Sequence, residues 1–226
     1  GMSNGTSSGD VMMGSAESGP LGTSGVLDLF TGTSSSGTSG HLQLSTGNST
    51  SGSGGDISLT VGDGVGSVGG SVTVSAGSGK ESGGHIGLTS GTSPEGVSGN
   101  TTITTSRAVG ATGDTTITTG ESNQSIAGTL ELSAGSSGKG TGGRVHVTSG
   151  SSSTTTSGSV DIETAYGYAG PSGALSIQSG DSLTSDSGSL FFATGGSTGG
   201  SSGNITMQVG DSSSKSGGDI SITAGK

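Results

Sequence analysis

Apolar residues recur along the chain at two fixed positions of a tandem repeat. The fourth residue is apolar in every repeat unit, and the second is apolar in all units except the two that carry Thr101 and Thr115. The third and fifth residues are mostly polar, and the residue before each unit is always Gly. The fifteen units begin at Asp10, Val26, His41, Asp56, Ser71, His85, Asn100, Asp114, Thr129, Arg144, Ser159, Ala174, Ser189, Asn204 and Asp219.

This pattern predicts a short β-strand in every unit, because apolar and polar residues that alternate with period two are typical of a half-buried strand. The seventh residue is Gly in twelve units, so glycines flank the strand on both sides. We expect these glycines to supply the positive φ angles of sharp corners. The ninth residue is Ser, Gly or Ala throughout. Such small side chains predict that this position faces the inside of the fold, where the backbone on the opposite side of the unit comes close.

Most units are 15 residues long, which is too short for a helix, a strand and two turns. They match one coil of a narrow parallel β-solenoid in which each unit stacks on the last. The expected fold class is therefore all-β, a parallel β-solenoid (β-helix) with about 15 residues per coil and about 15 coils. We expect one continuous solenoid domain over 1–226.

The chain begins and ends in mid-repeat, since Gly1 and Gly225 occupy equivalent positions of the unit. We expect either a segment of a longer fibre or a repeating unit that stacks on copies of itself. The expected partners are therefore further copies, by self-association or by covalent continuation into a filament.

Composition alone is typical of a flexible linker, because Gly accounts for 52 of 226 residues and aromatic residues for only 2%. The strict order of the residues favours a folded repeat instead.

A net charge of −10 disfavours nucleic acid and anionic membranes as partners. No apolar run is long enough to span a membrane. The absence of cysteine excludes a disulfide framework and a thiolate metal site.

Motifs typical of enzymes occur in the chain, and its composition accounts for them. Gly-x-Ser-x-Gly at 1–5, 5–9 and 195–199 lacks the strand-to-helix elbow that a catalytic serine needs. His41, His85 and His146 fall on separate units. Gly-Gly-Asp at 54–56 and 217–219 resembles calcium-binding β-rolls, but their period is nine. We expect no enzyme activity, no catalytic residue, no cofactor and no metal site.

The asparagines point to modification. All five begin an Asn-x-Ser/Thr triplet, the acceptor motif for N-glycosylation; they are Asn4, Asn48, Asn100, Asn123 and Asn204. N-glycosylation takes place on the secretory route, so the motif predicts glycans on the chain and a location outside the cell or at its surface.

The run SGHLQLSTGNSTSGSGGDISLTVG at 39–62 resembles the Ser/Gly/Thr-rich tandem repeats of very large extracellular proteins in algae and other stramenopiles. The likeness covers the whole chain and lies in composition and period. It implies a structural protein of an extracellular fibril, or the stalk of an adhesin at the cell surface.

An alternative is an ice-binding β-solenoid, since narrow cysteine-free repeats of this length also resemble grass ice-recrystallisation inhibitors. Ser and Thr at the third and fifth positions form part of a hydroxyl-bearing face. Residues such as Asp28, Glu131 and His146 interrupt that face. An ice lattice is regular, so the interruptions favour the fibril.

Overall fold

The computed structural model describes residues 8–225, and within that range the backbone forms no helix and no strand. The predicted β-solenoid is therefore wrong. Nearly every pair of Cα atoms within 8 Å joins residues fewer than twelve positions apart. Stacked coils would instead bring residues about 15 positions apart to about 4.8 Å from each other. Successive units do not lie on one another, so no ladder of backbone hydrogen bonds forms between them.

The chain divides into two halves, Gly1–Thr115 and Thr116–Lys226. Both halves contain the same repeat. Its first six residues form a segment with alternating faces, and the rest of the unit forms a loop. In the part of the chain that the structure describes, no helix could cross a membrane.

The six-residue segments keep the alternation that the sequence predicts. The hydroxyl oxygens of Ser58 and Thr60, the third and fifth residues of one unit, lie 3.4 Å apart. Ser159, the first residue of another unit, donates a hydrogen bond of 2.9 Å from its hydroxyl to the carboxylate of Asp161, the third. Contact between residues two positions apart is typical of extended backbone. In these two units the odd positions therefore share a face, as alternation along an extended backbone requires.

In every complete unit within residues 8–225 except the one that starts at Asn100, the loop returns to the end of its own segment. In four units the last glycine donates its backbone N–H to the carbonyl oxygen of the seventh residue. These bonds are Gly84 to Gly77 at 2.9 Å, Gly99 to Gly91 at 2.9 Å, Gly143 to Gly135 at 2.8 Å and Gly158 to Gly150 at 2.9 Å. In these four units the loop thus leaves and rejoins the chain at nearly the same point.

Every complete unit ends in a glycine, which we call the closing glycine, and in several units close approach accounts for it. A Cβ added at Gly143 would lie 3.1 Å from the Cβ of Ala134, the sixth residue of its unit, and 3.1 Å from the backbone nitrogen of Gly135. The closing glycine approaches the sixth residue in every complete unit within residues 8–225 except the one that ends at Gly113. No glycine in that range has a φ in the left-handed region. The expectation of positive φ angles is therefore wrong.

The ninth residue does not face inward as expected. It is a turn residue that is exposed in every described unit except at the half-buried Gly167. Wherever it is Ser, apart from Ser18, its hydroxyl oxygen accepts a hydrogen bond from the backbone N–H three residues later. The bonds are 2.8–3.1 Å long and involve Ser34, Ser49, Ser93, Ser122, Ser137, Ser152, Ser182, Ser197 and Ser212. A serine hydroxyl here holds the turn in place of a backbone acceptor.

Candidate functional site

The second and fourth residues of the units, which we call the apolar pairs, form the most regular feature of the surface. Each unit presents two such side chains on one face of its segment, with Thr in place of the second in two units. Every apolar member is exposed, from 51% at Ile57 and Val160 to 88% at Val11 and Ile222. The structure leaves all of these side chains in contact with water.

No hydrophobic core compensates for this exposure. No residue within 8–225 is buried. The accessible surface of the chain is 22649 Å², against about 9,000 Å² for a compact globular protein of the same mass and about 30,000 Å² for an unfolded chain. The single chain therefore buries little of the apolar surface that the hydrophobic effect would remove from water.

The backbone of the segments is open as well. The backbone–backbone hydrogen bonds found within residues 8–225 lie inside loops, either as turns such as Gly22 to Gly19 (3.1 Å) or as the loop-closing bonds between glycines. None of them joins one segment to another. Each segment therefore offers unpaired donors and acceptors next to its exposed apolar pair, and such edges are templates for pairing with another chain.

One cleft lies within the repeat unit that starts at Ser159. The only two tyrosines of the chain, Tyr166 and Tyr168, meet edge to face with ring centroids 5.0 Å apart. Beside them lies an open cleft of about 540 Å³ lined by 163–167 and Ser172. Sequence reasoning missed this cluster, although both tyrosines lie in one loop and a proline interrupts that loop. The walls are exposed side chains with no convergent charged groups, so the cleft is a surface depression without evident chemistry.

The structure places the glycosylation candidates away from the apolar pairs. Asn100 and Asn204 are the first residues of their units, and Asn48 and Asn123 lie in loops as eighth and tenth residues. All four are exposed. Asn4 lies outside the described residues.

The three histidines fall in three separate units. Within residues 8–225 no group of three or more His, Asp or Glu side chains is placed to hold a metal ion. His41 and His85 are exposed first residues of separate units. His146 accompanies Arg144, whose Nη2 lies 2.9 Å from the imidazole Nδ1. The three histidines that the sequence singles out are thus not brought together.

Comparison with models of protein families, with curated proteins and with solved structures gives no match for this chain.

Proposed function

We propose that this chain is a non-catalytic structural protein that self-associates into an extracellular fibril or adhesin stalk at a cell surface and carries N-linked glycans. The observation that supports the proposal is the row of exposed apolar pairs, repeated at nearly constant spacing through both halves. A chain that exposes these apolar pairs and buries none of its described residues needs another molecule to cover them. Extended apolar surfaces of this kind mark interaction sites.

The amount of apolar surface is sufficient for stable association. Full burial of one aliphatic side chain removes roughly 60–120 Å² from water. At 51–88% exposure, the apolar pairs together offer roughly 1,000–2,000 Å². A standard protein–protein interface takes about 800 Å² from each partner. The surface is therefore large enough for one or two partners.

A second copy is the partner that the pattern fits. Two copies share the same succession of unit lengths, including the one longer and the two shorter units, so their segments match in register along the whole chain. Each segment has unpaired backbone donors and acceptors that can pair with those of a neighbouring copy. Association of segments from different copies covers the apolar pairs. It leaves the loops in water, together with the polar face that the odd positions of each unit form.

The charge and the asparagines suit a surface location. A net charge of −10 keeps separate fibrils apart by repulsion while the apolar pairs hold copies together. The described asparagine candidates lie at first, eighth and tenth positions, where glycans are compatible with such an assembly. Glycans on the polar face would add to the solvation of the fibril.

Sedimentation velocity of paired variants tests the proposal. In Val72→Ser/Val74→Ser the altered residues form an apolar pair that is 61% and 71% exposed. In the control Thr73→Ala/Ser75→Ala they lie on the polar face of the same segment. Neither variant changes the net charge. We expect wild type and control to form large species at micromolar concentration, and the apolar-pair variant to shift toward monomer. A wild-type chain that stays monomeric up to millimolar concentration, or equal effects of both variants, contradicts the proposal.

A further inference from the structure

One repeat differs from all the others in its loop. Among the complete units within residues 8–225, the unit that starts at Asn100 is the one whose loop has no hydrogen bond across it and no close approach of its closing glycine. A Cβ added at Gly113 or at Gly110 would meet nothing within 4 Å. Every other complete unit has a turn hydrogen bond, a closing bond or the contact between its closing glycine and its sixth residue.

The sequence explains why this loop stays open. Its seventh residue is Ser106 instead of Gly, and its ninth is Ala108, which has no hydroxyl to hold the turn. The unit that starts at Ser71 is equally short, yet it keeps the seventh-position Gly77 and closes through the bond from Gly84. The shorter length alone therefore does not open the loop, and the Asn100 unit differs from its equally short counterpart in lacking the seventh-position Gly.

The open loop carries an arginine. Arg107 is exposed and stands between the two replaced residues. The other described basic residues sit in closed loops or in a segment. The N–H of Lys215 donates to Ser212 at 3.0 Å, Lys139 lies within the loop closed by Gly143, and Lys80 lies within the loop closed by Gly84. Arg144 belongs to a segment, beside His146.

We propose that the Arg107–Ala108 peptide bond is a processing site for a protease that accepts a basic side chain, one with a carboxylate at the base of its specificity pocket. Exposed loops that open easily are where proteases cut first. Hydrolysis adds one water across the bond, which leaves the carboxylate of Arg107 and the ammonium group of Ala108. The products are 1–107 and 108–226, and the cut falls in the repeat just before the boundary between the two halves at Thr115.

Limited digestion with trypsin, followed by mass spectrometry of the fragments, tests this inference on the monomeric full chain. We expect the first cut after Arg107, roughly 2- to 12-fold faster than after Lys80 or Lys139, since one net loop hydrogen bond accounts for a factor of that size. Equal rates at all basic residues, or a first cut after Lys80, Lys139, Arg144 or Lys215, overturns the inference. This digestion does not depend on self-association, so its outcome and that of the sedimentation experiment are independent.

Two variants make the test sharper. Ser106→Gly/Ala108→Ser restores the residues of the closed loops and should slow cleavage after Arg107 to the rate at Lys139. Ser137→Ala removes the hydroxyl that accepts from Gly140 at 2.8 Å and should speed cleavage after Lys139. Synthetic peptides covering 100–113 with and without the two substitutions serve as controls for protease preference. If the peptides differ as much as the proteins do, loop closure is not the cause and the inference fails.

Discussion

Replacing Gly143 with Ala tests whether the closing glycine holds its loop by close approach. The added Cβ would lie 3.1 Å from the Cβ of Ala134 and 3.2 Å from the carbonyl oxygen of Gly135. That oxygen accepts the 2.8 Å bond from the Gly143 N–H, so the methyl group pushes apart the two atoms that close the loop. We expect the closing bond to be lost and the loop to open more often.

The expected magnitude follows from one hydrogen bond. A net contribution of about 0.5–1.5 kcal/mol corresponds to a roughly 2- to 12-fold rise in the open population. Gly-to-Ala replacement also stiffens the unfolded chain, which favours the folded form by about 0.4–1 kcal/mol at any compatible site. Gly113→Ala serves as the matched control, because its Cβ meets nothing within 4 Å and it carries the same stiffening effect.

Amide hydrogen exchange of residue 143 is the assay, at a concentration where the chain is monomeric. The measured rate is divided by the rate of an unstructured peptide with the same substitution, which removes the intrinsic difference between Gly and Ala. We expect roughly 2- to 12-fold faster relative exchange in Gly143→Ala and no acceleration at residue 113 in Gly113→Ala. Unchanged protection in the first variant, or the same loss in both, would refute the role given to close approach.

Three further outcomes follow from the surface of the chain. Self-association should strengthen as pH falls from 7 toward the isoelectric point of about 4.3, because the charge of −10 that repels copies is lost; light scattering across that range measures it, and weaker association at pH 5 contradicts it. Secretion from a glycosylating host should add mass that Asn48→Gln, Asn100→Gln, Asn123→Gln and Asn204→Gln remove stepwise; an unmodified mass contradicts that expectation. Ice-crystal shaping should be absent at micromolar concentration, and faceted crystals would favour the ice-binding alternative.

The half-buried strand that the sequence predicts for each unit is wrong, because within residues 8–225 no strand forms and no residue is buried; only the alternation of side chains is seen locally. Alternation within six residues is a property of neighbouring side chains, and the contacts of Ser58 with Thr60 and of Ser159 with Asp161 agree with it. The glycines at the ends of the segments also mark where each loop begins and closes. These features depend on residues of one unit only, which is why a periodic pattern is enough to reveal them.

The way the units pack could not be predicted from the same pattern. An apolar pair such as Leu130 and Leu132 shows that one face needs cover, but it does not show whether the next unit or another chain provides it. Ser137 illustrates a second ambiguity, because a small residue fits both a close inward approach and a turn held by a hydroxyl. The structure shows the turn. The open loop at Arg107 could not be predicted from the repeat either. It depends on the missing glycine at the seventh position (Ser106) and the missing hydroxyl at the ninth (Ala108).

Hydrogen exchange of the segments, compared between dilute and assembled protein, tests the central claim that other copies cover the apolar pairs. In dilute monomer the segment amides have no backbone acceptor within the described residues and should exchange freely. In the assembled state they should become protected, with the second to fifth residues of each unit slowed most and the loop tips little changed. If the segments are equally protected in the monomer, or equally unprotected in assembled material, the account of this surface is wrong.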